Sequence, residues 1–228
     1  MGSPSCPVTE LAPIFLTLRV SLLATGVALV VGTGLGFVLQ WSRLPFRRFF
    51  LAATMLPLVL PPTVLGFYLL ALLGRRSFIG RAWEGLTGEP LVFTVTAAVI
   101  AASVSAIPIV ARQIASAITT IDPDSVEAAQ LDGAGRWRIF RSIYLPLLRP
   151  SLMAAGSIAF ARSVGDFGAT LMVAGNIPGR TQTASIAIYD MVNAGREQDA
   201  LVLVVLISLM TLAVLVYATE PPGPNTAR

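Results

Sequence analysis

The sequence DPDSVEAAQLDGAGRWRIFRSIYLPLLRP, residues 122–150, is the longest polar interruption in an otherwise apolar chain. Asp122 and Pro123 predict the start of a helix, because a carboxylate at the N-cap accepts backbone N–H bonds and the proline ring already has the φ of a first helical residue. Gly133 and Gly135 predict its end, since glycine readily adopts the left-handed conformation that terminates helices. A short helix is therefore expected between two apolar segments.

A second short helix is predicted over residues 136–145. At about 100° per residue its apolar side chains fall in one arc, although Arg136 lies inside that arc. Pro146 and Pro150 are expected to close this helical hairpin before the next apolar segment begins. The side chains of the arc are Trp137, Ile139, Phe140, Ile143 and Tyr144.

The order of residues in this stretch resembles the EAA loop of ABC-importer permeases, which in that family is cytoplasmic and forms the coupling helix that docks into the ATP-hydrolysing subunit. An amphipathic hairpin resting on the membrane surface is the alternative. It accounts for the apolar arc but not for the small residues, which suit close approach by another surface. The resemblance implies coupling to the ATPase through Glu127, Ala128, Ala129, Gly133, Ala134, Arg138, Phe140, Leu145 and Pro146.

The composition indicates a membrane protein. The chain has 228 residues, of which 55% are hydrophobic and 12% charged, whereas soluble domains are about one quarter charged. All 16 basic residues are arginine and there is no histidine. The chain therefore lacks the lysine of a P-loop and the histidine of a Ser-His pair or a zinc site. The single cysteine, Cys6, excludes a disulfide within the chain and is expected to be inert.

Five apolar segments are long enough to span a bilayer, at about 20 residues each. We expect an all-α membrane protein with one transmembrane domain, residues 1–228, and a disordered tail, residues 220–228. The first segment is too long for a cleavable signal and is expected to remain as an anchor. Residues 176–197 leave open a sixth, short membrane-inserted helix. The five predicted spans are 13–40, 48–73, 91–118, 151–175 and 198–219.

The arginines predict the orientation. Nine fall on the side of the 122–150 loop and five on the opposite side. The positive-inside rule therefore places this loop and the C-terminus in the cytoplasm and the N-terminus outside a bacterial plasma membrane. Because the arginines are dispersed around the spans and form no continuous basic face, nucleic acid is not an expected partner.

Two spans carry glycines or prolines with a predicted structural effect. Gly32 and Gly36 form a GxxxG pair that permits close helix contact. In the second span, three prolines within six residues each remove a backbone hydrogen bond, at about 3 kcal/mol in an ordinary helix. Two interpretations remain for the resulting kink: helix packing, or a segment that lines or gates a path. The residues concerned are Pro57, Pro61, Pro62 and Thr63.

The fourth predicted span contains an arginine near mid-membrane. Arg162 lies about 16 Å along the helix from Ser151, where a charge is costly. Asp166, four residues later, lies on the same face and neutralises it. The pair either fastens two helices or lines a water-accessible path that attracts an oxyanion. Ser163 and Gly165 belong to the same candidate segment, and Gly165 favours a bend there.

Two loops are predicted opposite the 122–150 loop. Residues 74–90 are expected to include a short interfacial helix around Trp83, and their arginines either attract an anion or an acidic receptor or are simply solvated. The apolar run 184–192 is too short to span.

Further stretches are similar to the permease subunit of molybdate-type ABC importers: residues 56–66, 74–80, 135–138, 160–170 and 176–179. Residues 160–170 are also similar to sulfate-type permeases, and Asp166 stands where glutamate is expected in many relatives. The resemblance implies the type I importer permease (MetI-like) fold. It also implies a non-enzymatic pore subunit for a tetrahedral oxyanion: molybdate or tungstate, with sulfate or thiosulfate as the alternative.

The same resemblance implies the partners. Two copies of the chain form the pore, two ABC subunits bind ATP and Mg²⁺ beneath it, and an extracytoplasmic protein delivers the oxyanion; no cofactor is expected in this chain. Closure of the ATP-binding subunits would press on the hairpin and tilt the attached helices.

Three other functions compete with this interpretation. A secondary transporter predicts inverted repeats and a carboxylate-rich midplane, yet Asp166 is the only acid well inside a predicted span. A membrane-embedded enzyme needs paired carboxylates, a Ser-Lys or Ser-His couple, or a metal site, and none of these can be assembled from this sequence. A passive anchor leaves the prolines and Arg162 unexplained.

Overall fold

A computed structural model describes residues 7–41 and 47–219 of the chain. These two parts contain only helices and their connections, which agrees with the predicted all-α class. The predicted disordered tail and Cys6 lie outside the described residues. The helices are α1 (Pro7–Trp41), α2 (Arg47–Val59), α3 (Pro62–Leu73), α4 (Phe78–Thr87), α5 (Val95–Ile118), α6 (Pro123–Leu131), α7 (Arg136–Ile139), α8 (Leu145–Val164), α9 (Gly168–Ala174), α10 (Ala184–Asn193) and α11 (Glu197–Thr219).

Among the described residues, 4 helical segments are long and apolar enough to cross a membrane, and a fifth span exists if a bent pair, α2 and α3, is one span. The predicted count of five spans corresponds to the larger of these two counts, with α2 and α3 taken as one span. The region of the open sixth helix holds α10, which has 10 residues and is too short to cross a bilayer. The 4 segments are Ala12–Gln40, Val95–Ile118, Arg136–Val164 and Glu197–Tyr217.

Helices α1 and α5 form the centre of the molecule. A Cβ added at Gly32 would lie 2.7 Å from Val110 Cβ, and one added at Gly36 would lie 3.0 Å from the Ala111 carbonyl oxygen. The predicted close contact at this glycine pair is confirmed. Because contacts advance in the same direction along both helices, α1 and α5 run parallel, as the first and third spans must.

The second span breaks where its prolines predict. The chain bends by 107° between α2 and α3. Pro61 is the extended N-cap of α3 and Pro62 its first residue, so the N–H groups that the prolines lack fall where a helix start leaves donors unpaired anyway. Pro57 lies within α2 and does not end it.

The fourth span differs from its prediction at both ends. Helical structure continues from Arg136 to Val164, so Pro146 and Pro150 do not close a hairpin. A π-helical turn, Phe140–Tyr144, precedes Pro146, and this wider turn absorbs the disturbance that a proline causes in the preceding turn. The predicted span 151–175 is interrupted, because α8 stops at Val164 and α9 begins at Gly168; the interruption falls at Gly165, where a bend is predicted.

The two loops opposite the hairpin each contain a short helix. Helix α4 confirms the helix predicted around Trp83. Its N-cap Ser77 accepts a hydrogen bond from Gly80 N at 2.8 Å. Arg75 forms an ion pair with Glu84 at 2.8 Å, so this arginine is not simply solvated. In the other loop, α10 contacts α1 and α11, which packs the second loop against the spans.

Candidate functional site

The first candidate site is the hairpin of α6 and α7. The predicted helix start is confirmed: Asp122 Oδ1 accepts a bond from Asp124 N at 3.1 Å, and Ser125 Oγ donates to Asp122 Oδ2 at 3.2 Å. Helix α6 contains no buried residue. Glu127 and Ala128 are exposed and Ala129 is half-buried. The Glu-Ala-Ala segment thus presents two small or charged side chains to the outside of the chain.

The two glycines of the turn have different roles. Gly133 has φ +76, as predicted for a residue that ends a helix, and the following Ala134 N donates to the Ala129 carbonyl at 2.9 Å. Gly135 has φ −66 and is the N-cap of α7, so the prediction that it ends α6 in a left-handed conformation is wrong. The chain needs only one left-handed residue to reverse, and Gly135 starts the next helix instead.

The hairpin is anchored to the spans by aromatic packing. Phe37 of α1 makes edge-to-face contacts with Phe140 and Tyr144, at ring centroid distances of 5.5 and 5.3 Å. Ile139 and Tyr144 are buried in a cluster that includes side chains of α1 and α5. The edge-to-face arrangement of Phe37 with Phe140 and Tyr144 is favoured by the quadrupoles of the aromatic rings. The hairpin is therefore in direct contact with α1 and α5 through buried side chains.

Two large apolar side chains of the hairpin remain exposed outside the buried cluster. Trp137 was predicted to lie in the apolar arc, but it is 72% exposed and stacks on Phe140 at 5.5 Å. Leu131, which the sequence analysis did not single out, is 89% exposed. A sequence signal was available, because Leu131 is the largest apolar side chain of α6 and is its last residue. With Glu127 and Ala128, these residues form what we call the hairpin surface.

The second candidate site lies where the breaks of two spans meet. A Cβ added at Gly168 would lie 2.9 Å from Pro62 Cβ, and one added at Gly66 would lie 2.7 Å from Met172 Cβ. Helices α3 and α9 thus pack closely and run parallel from adjacent starts. The structure brings Pro62 and Thr63 close to the break around Gly165, although in the sequence these were two separate candidates. Pro57 lies on the far side of the proline break.

The charged pair sits at this junction. Arg162 Nη1 lies 3.3 Å from Asp166 Oδ1, and the side chains are 28% and 1% exposed, respectively. Asp166 Oδ2 also accepts bonds from Thr170 N at 3.1 Å and Thr170 Oγ1 at 2.5 Å. Asp166 therefore joins the end of α8 to the start of α9. Thr170 was missed; its position four residues after the acid at a helix start was the available signal.

Ser163 adds a polar group to the same junction. It is buried, and its Oγ has no hydrogen-bond partner in the part of the chain that the structure describes. Buried hydroxyl groups are normally satisfied. Together with the partly exposed guanidinium of Arg162, this hydroxyl supplies unused donors at the end of α8, next to the breaks of two helices.

Comparison with known proteins gives a consistent result. The family model described as "Binding-protein-dependent transport system inner membrane component" matches residues 28–219. YvgM of Bacillus subtilis (strain 168), provisionally named a molybdenum transport system permease protein, is 41% identical over 91% of this chain and 92% of its own length. The molybdenum transport system permease protein ModB of Escherichia coli (strain K12) is 37% identical over 91% of each chain.

Two further likenesses are more distant. The sulfate transport system permease protein CysT of Escherichia coli (strain K12) is 33% identical over 75% of this chain and 63% of its own length. An inward-facing structure of the MetNI methionine ABC transporter superposes with a TM-score of 0.69 at 21% identity, covering 96% of this chain and 98% of that one. This likeness concerns the fold alone and confirms the predicted importer-permease fold. The chain is a multi-pass membrane protein and belongs to the family of binding-protein-dependent transport system inner membrane components.

Proposed function

We propose that this chain is the pore-forming subunit of an ATP-driven importer that carries a tetrahedral oxyanion, molybdate in the first place, into the cell. The observation that carries the proposal is the identity of 37% to a molybdenum permease over 91% of both chains. The sulfate permease matches at 33% over 75% of this chain, so sulfate is the second candidate. Tungstate shares the charge and shape of molybdate and is expected to follow the same path.

The proposal assigns ATP hydrolysis to separate subunits. Two copies of the chain form the pore, two ATP-binding subunits with Mg²⁺ lie beneath it, and an extracytoplasmic receptor supplies the anion. In this proposal the hairpin and the C-terminus lie in the cytoplasm and the N-terminus outside, which the nine arginines on the side of the hairpin, against five opposite, support through the positive-inside rule. Parallel packing of α1 and α5 agrees with this alternation of spans.

Coupling to ATP is assigned to the hairpin surface. Exposed apolar side chains surrounded by polar residues are typical of protein interfaces, and Leu131 and Trp137 have this character. In this proposal, the contacts of Phe37 with Phe140 and Tyr144 transmit a displacement of this surface to α1, α5 and α8. Nucleotide binding and the state of the pore become linked by a coupling free energy.

The transport path is assigned to the junction of the two breaks. Helix α3 starts there with its positive dipole end, and Arg162 retains a partly exposed guanidinium with further N–H donors beyond the one facing Asp166. We assign contact with the anion to Arg162 and Ser163. Asp166 is a positioning residue that holds α8 and α9, while Gly165, Pro61, Pro62 and Thr63 form the two breaks at which the path would open.

The test is uptake of labelled molybdate by vesicles that contain the complete complex and its receptor. We expect uptake that needs ATP and stops when the ATP-binding subunit is made unable to hydrolyse it. Uptake that survives this change would identify an ion-gradient transporter instead. Competition by excess sulfate that equals competition by unlabelled molybdate would assign the chain to sulfate.

A further inference from the structure

A cavity that none of the residues above explains lies on the hairpin side of the proline break. It has a volume of about 620 Å³ and is bounded by α2, α5 and α8. The lining residues that matter here are Met55, Leu58, Arg112, Gln113, Ser116, Thr120 and Ser151. A volume of this size is within the usual range of small-ligand sites.

The charge of the cavity has one sign. Among the described residues that line it, Arg112 is the only charged one and none is acidic. Within residues 7–41 and 47–219 no ion pair of Arg112 is found. Its position six residues before the end of α5 is about 9 Å from that end. Its long side chain can still reach the membrane boundary, so Arg112 contributes to the arginine count for orientation as well.

The neighbours of Arg112 are suited to an anion. Arg112 and Ser116 are spaced four residues apart, which places them on one face of α5, and Thr120 follows just after the end of that helix. The Thr120 hydroxyl already donates to the Ala117 carbonyl at 2.8 Å, so it has no proton to offer. The guanidinium of Arg112, the amide of Gln113 and the hydroxyls of Ser116 and Ser151 remain as donors.

The cavity is lined by parts of the two spans whose breaks form the junction. Met55 and Leu58 belong to α2, the half of the second span that precedes the break. Ser151 lies on α8, about 16 Å along the helix from Arg162. We propose that this cavity is a second, inner anion site, in which Arg112 holds the tetrahedral oxyanion between its passage at Arg162 and its release. The inference rests on the proposed function and adds a residue to it.

A charge-sensitive labelling experiment tests this site. In a Cys6→Ser background, Ser116→Cys places the only thiol in the cavity of the complete complex. We expect an anionic sulfonate reagent to react several-fold faster than a cationic ammonium reagent, because Arg112 concentrates anions. Arg112→Gln should abolish this preference, bringing the two rates close to each other, and Arg112→Lys should keep most of it. Arg141→Gln, an exposed arginine that does not line the cavity, is the matched control.

Millimolar molybdate should slow the labelling of Ser116→Cys when Arg112 is present and leave it unchanged in Arg112→Gln. Equal reagent preference in both forms, or no protection by molybdate, would overturn the inference. A lipid phosphate has the same chemistry, so the experiment is repeated in nanodiscs with increasing phosphatidylglycerol. Protection by that lipid but not by molybdate would also overturn it.

Two outcomes distinguish a failure of the inner anion site from a failure of the proposed function. If the unmodified complex takes up no molybdate, the proposed function fails regardless of labelling. If uptake is normal and labelling shows no charge preference, only the inner site is wrong. Should Ser116→Cys prevent assembly, Ser151→Cys, on another helix of the same cavity, provides the reporter with the same expected outcomes.

Discussion

Gly133 is the residue whose backbone most constrains the hairpin, because its φ of +76 costs other residues about 1–2 kcal/mol. Gly133→Ala should shift the turn, lower ATP-dependent uptake several-fold and leave much of the ATP hydrolysis intact. The measurement is the ratio of transported anion to hydrolysed ATP in vesicles.

Gly135 provides the control for that prediction. Its φ is −66, and a Cβ added there would meet nothing within 4 Å. Gly135→Ala should therefore transport normally. Equal ratios in all three proteins would show that the left-handed turn is unimportant for coupling.

Thr170 is the residue that completes the bonding of Asp166. Thr170→Val removes the hydroxyl bond to a carboxylate that is 1% exposed, which should cost about 1–3 kcal/mol and lower the Tm of the purified complex. Thr170→Ser keeps the hydroxyl and should lose less. A valine variant as stable as the serine variant would mean that Asp166 needs no second partner.

Helices α1 and α5 depend on a contact that one methyl group would block. Gly32→Ala places its Cβ 2.7 Å from Val110 Cβ, so the helices must separate, at about 1–3 kcal/mol. Gly34→Ala, on the same helix, meets nothing within 4 Å and should be neutral or slightly stabilising. The comparison is made by Tm; a Gly34→Ala variant as unstable as Gly32→Ala would contradict the contact.

The hairpin helices combine a buried anchor with an exposed surface, and the two should respond differently to substitution. Leu131→Ala removes a side chain that is 89% exposed, so stability should not change, while affinity for the ATP-binding subunit falls about tenfold if Leu131 is an interface anchor. Ile139→Ala, in the buried cluster, should instead lower the Tm by creating a cavity. Binding is measured with the purified subunits.

For the whole molecule, the orientation is open to a direct measurement. In a Cys6→Ser background, Ser125→Cys of α6 should react with a membrane-impermeant thiol reagent only from the cytoplasmic side. Thr87→Cys of α4 should react only from the opposite side. Both positions are exposed, so labelling reports their side of the membrane. Reaction of Ser125→Cys from outside intact cells would reverse the topology and remove the basis for coupling.

Most of the architecture was accessible from the sequence because it follows from local properties. An apolar segment of about 20 residues needs a bilayer, a proline lacks an N–H wherever it stands, and a glycine lacks a Cβ. The membrane class, the break at Pro61 and Pro62, the start of α6 at Asp122 and the close contact at Gly32 all have this origin.

Tertiary structure alone decided which of these features meet. Pro62 and Gly168 lie far apart in sequence and touch only because α3 packs on α9. The continuous helix through Pro146 and the exposure of Trp137 depend on how the hairpin packs against Phe37. The cavity around Arg112 requires three helices at once. Helical periodicity predicts the face of a residue, but the neighbour opposite that face is set by the packing of distant segments, which no local pattern contains.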